Sequence, residues 1–177
     1  LLTTIFQMMG PVISLYKLTG ELQPRLGSGL PYTVPRGVYQ CVDGKWVGVS
    51  ASSDTVAARV MKILGLETDA RFTTFAGRME HRELLQEMMG AWCSTRTRDE
   101  VVAIFEEAEA AVGPVFDMSD IAADPHYAAR NMIQVVGETP MQGLIASLSK
   151  TPGKLKHEGH TLDADRHDIT TRGWLNR

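Results

Sequence analysis

Three histidines near the carboxyl end form the most evident group of metal-ligand side chains: His157, His160 and His167. Zinc proteases bind their metal through two histidines four residues apart on one helix, with a glutamate directly after the first. The histidines here follow neither that spacing nor a helical pattern of apolar residues. We therefore interpret them as solvent-exposed side chains of a polar segment and expect no metal site.

Nucleophilic chemistry has few candidates in this sequence. The two cysteines, Cys41 and Cys93, lie far apart, and no histidine stands beside either of them to stabilise a thiolate. Two cysteines at this spacing form neither a disulfide framework nor a zinc-binding set. We predict two buried, packed thiols and a reducing, cytoplasmic location.

The familiar phosphate-binding and acyl-transfer signatures do not occur. The sequence contains no Walker loop, no Gly-x-Gly-x-x-Gly and no Gly-x-Ser-x-Gly. Gly27-Ser28-Gly29 is too short to cradle a phosphate on its spacing alone, and we interpret it as a flexible connection. Without a further signal, these residues indicate only a soluble α+β domain.

The composition excludes several classes of partner. The chain has 177 residues, of which 44% are hydrophobic and 22% charged, enough apolar side chain for one domain or two small ones. Its net charge of −3 supplies no basic surface for nucleic acid or for an anionic membrane. We therefore expect neither nucleic acid nor a membrane as a partner.

Apolar residues at the start of the chain follow helical spacing from Leu2 to Tyr16. Gly10-Pro11 interrupts this run, which is shorter than the roughly 20 apolar residues that span a bilayer. It also lacks the basic segment and cleavage site of a signal peptide. We predict a helix broken near Pro11 and expect the chain to be a piece of a longer protein.

A hairpin and three helices are predicted in the first two thirds of the chain. Asp43-Gly44 separates two β-rich runs, which indicates a hairpin because both turn positions must tolerate positive φ. The first helix would be capped by Asp54, and the second would place Leu85, Met88, Met89 and Trp92 on one side. The third would begin with the capping box Thr97-Arg98-Asp99-Glu100 and extend its buried stripe to Val112.

The rest of the chain is predicted to hold a short strand, two short helices and a second hairpin. The strand covers Gly113 to Phe116, and the two helices meet at Asp124-Pro125 because proline is well suited to open a helix. The second hairpin would pair strands at residues 133–136 and 144–148 through a turn around Gly143.

Five short motifs occur in a characteristic order along nearly the whole chain. They are Arg25-Leu26-Gly27-Ser28, Val34-Pro35-Arg36-Gly37-Val38-Tyr39, Asp43-Gly44-Lys45-Trp46-Val47-Gly48-Val49, Gly113-Pro114-Val115-Phe116-Asp117, and Ala123-Asp124-Pro125-His126 followed by Arg130-Asn131-Met132. This series resembles the family III CoA-transferases, the group of the carnitine and bile-acid-inducible enzymes, which includes formyl-CoA transferase and acyl-CoA racemases.

The resemblance implies a fold class and a division of the chain. Family members have a large α/β Rossmann-like domain built from both chain ends, with a small α+β domain inserted in it. We expect residues 1–29 to be a helix and linker of the large domain and residues 30–148 to be the small domain. Residues 149–177 would return to the large domain, of which only remnants would be present here.

The resemblance also implies an activity. In family transferases an aspartate attacks an acyl-CoA thioester to form an acyl-aspartyl anhydride. The released CoA thiolate then forms an aspartyl-CoA thioester, from which CoA passes to an acceptor carboxylic acid. By family order this aspartate precedes Leu1, so we expect no catalytic residue here and an inactive chain when it is alone.

The expected ligands and partners follow from the same resemblance. Coenzyme A and acyl-CoA would be substrates, with no tightly bound cofactor, and a carboxylic acid would be the acceptor. The chain would form a homodimer or pair with the missing half. Arg25 and Arg36 are expected to contact a CoA phosphate or an acyl carboxylate, because a guanidinium binds such groups as a fork; solvated loop arginines are the alternative reading.

Two departures bear on the choice of activity. Arg36 stands where the family usually has an aromatic residue, and Ser53 stands where racemases tend to place a glutamate. Because proton abstraction beside a carbonyl needs a positioned acid and base, Ser53 favours a transferase over an acyl-CoA racemase. A second alternative is a catalytically silent stand-alone chain or subunit that binds a partner.

Overall fold

The computed structural model describes residues 1–174 and divides the chain into two units, Leu1–Val115 and a second unit from Phe116 onward. The first unit contains, in order, α1 (Leu2–Met8), α2 (Val12–Thr19), β1 (Arg36–Gln40), β2 (Trp46–Ser50), α3 (Asp54–Ile63), α4 (Phe75–Glu80), α5 (Arg82–Ser94), α6 (Arg98–Glu107) and β3 (Val112–Val115). The second contains α7 (Met118–Ala123), α8 (Pro125–Ala129), β4 (Ile133–Val136), β5 (Thr139–Gln142) and α9 (Arg166–Arg172).

The predicted break in the opening helix is confirmed. α1 ends at Met8, Gly10 takes a positive φ of 58°, and α2 begins directly after Pro11. Neither helix buries a residue, and apart from the half-buried Val12 their large apolar side chains are exposed. Within residues 1–174, no helix has the length and apolar character needed to cross a bilayer.

A three-stranded antiparallel sheet organises the first unit, in the order β1-β2-β3. The predicted hairpin at Asp43-Gly44 is confirmed, with Gly44 at a φ of 76°. Alternate residues of β1 and β2 point into a core shared with α3, α5 and α6, as strand geometry requires. Fully buried members of this core include Val47, Leu85 and Phe105.

In the first unit, the N-terminal cap of α3 differs from the predicted one, whereas that of α6 is as predicted. Ser53, and not Asp54, caps α3: its extended backbone lets the hydroxyl accept a hydrogen bond from the Val56 amide at 3.3 Å. The capping box of Thr97 and Glu100 is formed as predicted. The stripe of α6 does not reach Val112, which lies in β3 after the chain leaves the helix.

The second unit confirms the helix boundary but not the second hairpin. α7 and α8 meet at Asp124, whose carboxylate accepts hydrogen bonds from the first amides of α8. β4 pairs with Thr139–Gln142 and not with residues 144–148, because the turn falls at Gly137, which takes a φ of 62°. Pro140 is tolerated because this sheet has only two strands, and both are edges.

The sequence predicts that the chain contributes to two domains of a larger protein, with boundaries at residues 1–29, 30–148 and 149–177. This division stays a prediction. The division of the structure into two units is a separate observation, with its boundary along the chain between Val115 and Phe116. The last three residues of the predicted third segment lie outside the described residues.

A buried arginine connects three distant segments of the first unit. Arg78 in α4 is 3% exposed. Its guanidinium donates to the Val34 carbonyl at 3.1 Å, to the Phe72 carbonyl at 3.2 Å, and to the carboxylate of Asp54 at the start of α3. A buried cation is tolerated only when its donors are satisfied in this way. Arg78 therefore fixes the chain just before β1.

Replacing Arg78 with Met is expected to lower the free energy of unfolding by about 3 kcal/mol, because the buried carbonyls lose their donor and cannot reach water. Urea denaturation of the intact protein measures this loss. Arg71→Met is the matched control, since Arg71 is exposed and pairs with Asp69 beside it. Equal losses in the two variants would contradict the role given to Arg78.

Candidate functional site

The segment before β1 forms a turn that is attached to the sheet. Gly27 takes a positive φ of 59°, and the Gly29 amide donates to the Leu26 carbonyl at 3.0 Å. The Ser28 hydroxyl accepts a hydrogen bond from the Val38 amide of β1 at 3.0 Å. This contact corrects the interpretation of Gly27-Ser28-Gly29 as a flexible connection.

Helix α5 holds both the turn and the first strand through two side chains one turn apart. Arg82 donates to the Leu30 carbonyl at 2.9 Å. Gln86 donates to the Arg36 carbonyl at 2.8 Å, and its carbonyl oxygen accepts from the Tyr39 hydroxyl. Residues four apart lie on the same helix face, which is why both can reach the segment ahead of them.

These elements enclose a cavity of about 500 Å³. The lining residues are Arg25, Leu26, Gly27, Ser28, Gly29, Leu30, Thr33, Arg36, Arg82, Glu83, Gln86 and Glu87. The structure thus brings together the two arginines singled out from the sequence. The lining contains three arginines and two glutamates, so at neutral pH it carries one excess positive charge.

The two predicted arginines differ in their surroundings. Arg25 is exposed on the turn, whereas Arg36 is half-buried at the start of β1. The Nη1 atom of Arg36 donates to the Ser50 hydroxyl at 3.1 Å, directly across the β1–β2 pair. Arg36 is therefore oriented by the sheet, while Arg25 reaches the cavity from the turn alone. A guanidinium held in this way is suited to bind an anion.

The cavity residues that the sequence did not single out include Arg82, Gln86 and Thr33. Arg82 and Gln86 lie on the polar side of a helix whose apolar side dominated the pattern, and their spacing of four was the available signal. No sequence pattern indicated Thr33, because its burial depends on how the chain before β1 packs.

A second cavity of about 500 Å³ also borders this turn. It is mainly apolar and includes side chains of α1 and α2 together with Leu26, Pro31 and Tyr32 of the following segment. One short turn therefore contributes to both a charged and an apolar recess.

Comparison with known proteins decides the family. The model of "CoA-transferase family III" matches residues 1–166. The chain belongs to this family. It is 32% identical over 175 residues to the succinyl-CoA–D-citramalate CoA-transferase of Chloroflexus aurantiacus, covering 94% of this chain and 44% of that protein.

Two further relatives are subunits of one enzyme from the same bacterium. The chain is 27% identical to the alpha subunit of a succinyl-CoA–L-malate CoA-transferase over 173 residues, covering 93% of this chain and 40% of the relative. It is also 27% identical to the beta subunit over 176 residues, covering 94% and 44%. The chain thus spans less than half the length of these curated relatives.

A solved structure has the same fold. A CaiB/BaiF family protein from Brucella suis superposes with a TM-score of 0.78 at 22% identity, over 93% of this chain and 44% of that protein. The resemblance stated from the five motifs is therefore confirmed, and the mixed α/β fold with small sheets is that of the CaiB/BaiF family.

The histidines predicted as solvent-exposed are placed in the second unit. The rings of His157 and His160 lie 4.8 Å apart, and His167 is in α9. Within residues 1–174, no group of three or more His, Cys, Asp or Glu side chains is arranged to hold a metal ion.

Both cysteines of this family III chain are buried and free, as predicted. Burial, with a smaller contribution from the neighbouring Cys41, raises the pKa of the Cys93 thiol to about 12. Burial is also the main cause that raises the pKa of Cys41, with Asp43 adding to it. Since the thiolate is the reactive form, these thiols are not activated nucleophiles.

The folded protein is therefore expected to protect both thiols from alkylation at pH 8, because each pKa lies above its ordinary value and each side chain is covered. Iodoacetamide labelling followed by peptide mass spectrometry measures modification at Cys41 and Cys93 separately. Labelling should become fast once the protein is unfolded in urea. Rapid modification of either cysteine in the native protein would contradict this assignment.

Proposed function

We propose that this chain is part of an enzyme that moves CoA between carboxylic acids, and that it supplies part of the binding site and not the nucleophile. The observation that carries the proposal is the family match over residues 1–166, joined to an arginine-lined cavity in the matched region. Acyl-CoA and carboxylate substrates are anions, and the cavity has the opposite charge.

The proposed chemistry follows the family pathway. A carboxylate of an aspartate outside this chain attacks the acyl-CoA thioester and expels CoA thiolate, giving an acyl-aspartyl anhydride. The thiolate attacks the aspartyl carbonyl and releases the original acid, and the acceptor acid then takes CoA through the reverse steps. A carboxylate is a weak nucleophile, so positioning of substrates and exclusion of water must supply much of the rate.

The proposed architecture keeps the three-part division of the chain. Residues 30–148 would form the small domain, and residues 1–29 and 149–177 would belong to a Rossmann-like large domain. The comparisons support this proposal by coverage, since the chain spans 44% of the D-citramalate enzyme. Catalysis would then need the rest of that architecture, and the chain alone would be inactive.

Dicarboxylic substrates are the proposed class. The relatives from Chloroflexus aurantiacus are named for succinyl-CoA with D-citramalate or L-malate. Each of these acids carries a second carboxylate that does not react, and an arginine-lined cavity provides a place for such a group. Arg25 and Arg36 are proposed to contact substrate anions in this cavity.

Replacing Arg25 and Arg36 with Ala in the intact enzyme should raise KM for succinyl-CoA by about tenfold or more, because one charge-assisted hydrogen bond is worth roughly 1.5–3 kcal/mol. Steady-state kinetics with malate as acceptor measures the change. Arg71→Ala serves as the control, since its guanidinium pairs with Asp69 away from the cavity. Unchanged kinetics in the double variant would overturn the assignment.

A silent, partner-binding subunit is the second candidate. The observation that favours it is the set of exposed apolar side chains on α1 and α2, including Ile5, Phe6 and Ile13. An apolar surface of this kind is typical of an interface. Analytical ultracentrifugation of the isolated native protein tests it, and a well-behaved monomer at micromolar concentration would argue against a partner-seeking role.

The racemase alternative is disfavoured by the local structure. Ser53 occupies the position at which racemases tend to have a glutamate, and its hydroxyl is engaged as the cap of α3. Without a carboxylate at this position, the acid and base that proton abstraction beside a carbonyl needs would lack their support. Solvent deuterium incorporation into a 2-methylacyl-CoA would reveal racemisation if it occurred.

A further inference from the structure

The mainly apolar cavity beside the Gly27 turn, called the apolar recess below, has no role in the function proposed above. Its volume is about 500 Å³, within the range of roughly 300–1,000 Å³ that is typical of small-molecule sites. None of the described residues that line it is charged, and only Gln23 and Tyr32 bring a polar side chain. A recess of this composition favours a hydrocarbon ligand, because apolar surface gains most from leaving water.

Helix α2 forms one wall of the apolar recess. Val12 and Leu15 both line it, and residues three apart lie on the same face of a helix. Ile13, Ile5 and Phe6 belong to the exposed apolar set discussed above as a partner surface, and they do not line the recess. Different side chains of α1 and α2 therefore form the recess and that surface.

One turn separates the apolar recess from the arginine-lined cavity. The residues that line both are Leu26, Gly27, Gly29 and Leu30. Two of them are glycines, and a Cβ atom added at Gly27 would meet no other atom within 4 Å. The surface of the turn at Gly27 is therefore open, which leaves room for a flexible chain to pass from one cavity to the other.

The contrast in charge between the two cavities selects a ligand with two unlike ends. The arginine-lined cavity has one excess positive charge, whereas the apolar recess is lined by uncharged residues. A carboxylate is stabilised beside guanidinium groups, and a hydrocarbon chain is stabilised where it leaves water. A carboxylic acid with a hydrocarbon chain satisfies both cavities at once.

We propose that the apolar recess binds the hydrocarbon chain of a carboxylic acid whose carboxylate lies in the arginine-lined cavity. The place of the carboxylate rests on the proposed function. The recess itself adds a second class of acid to the dicarboxylic acids named there, namely monocarboxylic acids with a chain of several carbons.

Isothermal titration of the intact protein with butyrate, hexanoate and octanoate at matched ionic strength tests the recess. The affinity should rise about fourfold for each methylene group that enters it. The heat-capacity change on binding should also become more negative as the chain lengthens, because this change marks the burial of apolar surface. Succinate is the reference acid, since it has no chain beyond its second carboxylate.

Two variants of α2 separate the recess from the rest of the helix. Leu15→Gln should lower the affinity for octanoate about fivefold, because part of the apolar wall is lost, and should leave the affinities for butyrate and succinate unchanged. Leu18→Gln is the matched control, since Leu18 lies on the same helix and does not line the recess. Both side chains are exposed, so the thermal midpoint should stay at its wild-type value in both variants. Tyr32→Ser, on the segment after α2, should weaken octanoate binding as Leu15→Gln does.

Two results would overturn the proposal: equal affinity of the wild-type protein for butyrate, hexanoate and octanoate, or an equal effect of Leu15→Gln and Leu18→Gln on octanoate binding. Equal affinities together with a lower sedimentation coefficient in Leu15→Gln alone would assign the recess to a protein partner and overturn it as well. If affinity rises with chain length but the enzyme transfers no CoA, the proposed function fails and the recess stands. If CoA passes to succinate while chain length has no effect on binding, the recess fails and the proposed function stands.

Discussion

The buried guanidinium of Arg78 is the interaction on which the candidate site depends. It satisfies the carbonyls of Val34 and Phe72 and the carboxylate of Asp54, which belong to three separate segments of the first unit. A cation in the interior is stable only with such partners, so these segments must converge on α4. Val34 lies between Thr33 and Arg36, and its anchoring therefore determines where both cavity residues stand.

Helix α5 completes the arrangement from the other side. Arg82 binds the Leu30 carbonyl and Gln86 binds the Arg36 carbonyl, so these two side chains hold both ends of the segment before β1. The same two side chains line the cavity. Under the proposed function, the same residues would serve both structure and binding. A family III CoA-transferase needs substrates held in position and shielded from water, and a fixed wall of this kind suits that need.

Local signals in the sequence predicted much of the fold. The Asp43-Gly44 hairpin, the Thr97 capping box and the break near Pro11 each depend on a few neighbouring residues, and the structure forms all three. The errors also have local causes. Ser53 and Asp54 are both good caps, and only the backbone conformation chooses between them. The second hairpin turns at Gly137 and not at Gly143, although both glycines permit a turn.

The site was less accessible to sequence reasoning than the fold. Arg25 and Arg36 were singled out, and the structure places both on one cavity. The buried state of Thr33 and the attachment of Ser28 to β1 arise from contacts between segments distant in sequence. No periodicity or motif encodes such contacts, so they are visible only in three dimensions.

Hydrogen–deuterium exchange of the intact protein, with and without saturating succinyl-CoA, tests whether the arginine-lined cavity belongs to the substrate site. We expect slower exchange in peptides that cover residues 25–38 when the acyl-CoA is bound, because the turn and the start of β1 form the cavity wall. Helix α6, which does not line the cavity, should exchange at the same rate in both samples. Unchanged exchange over residues 25–38 in a protein that has bound the acyl-CoA would show that this cavity is not part of the substrate site.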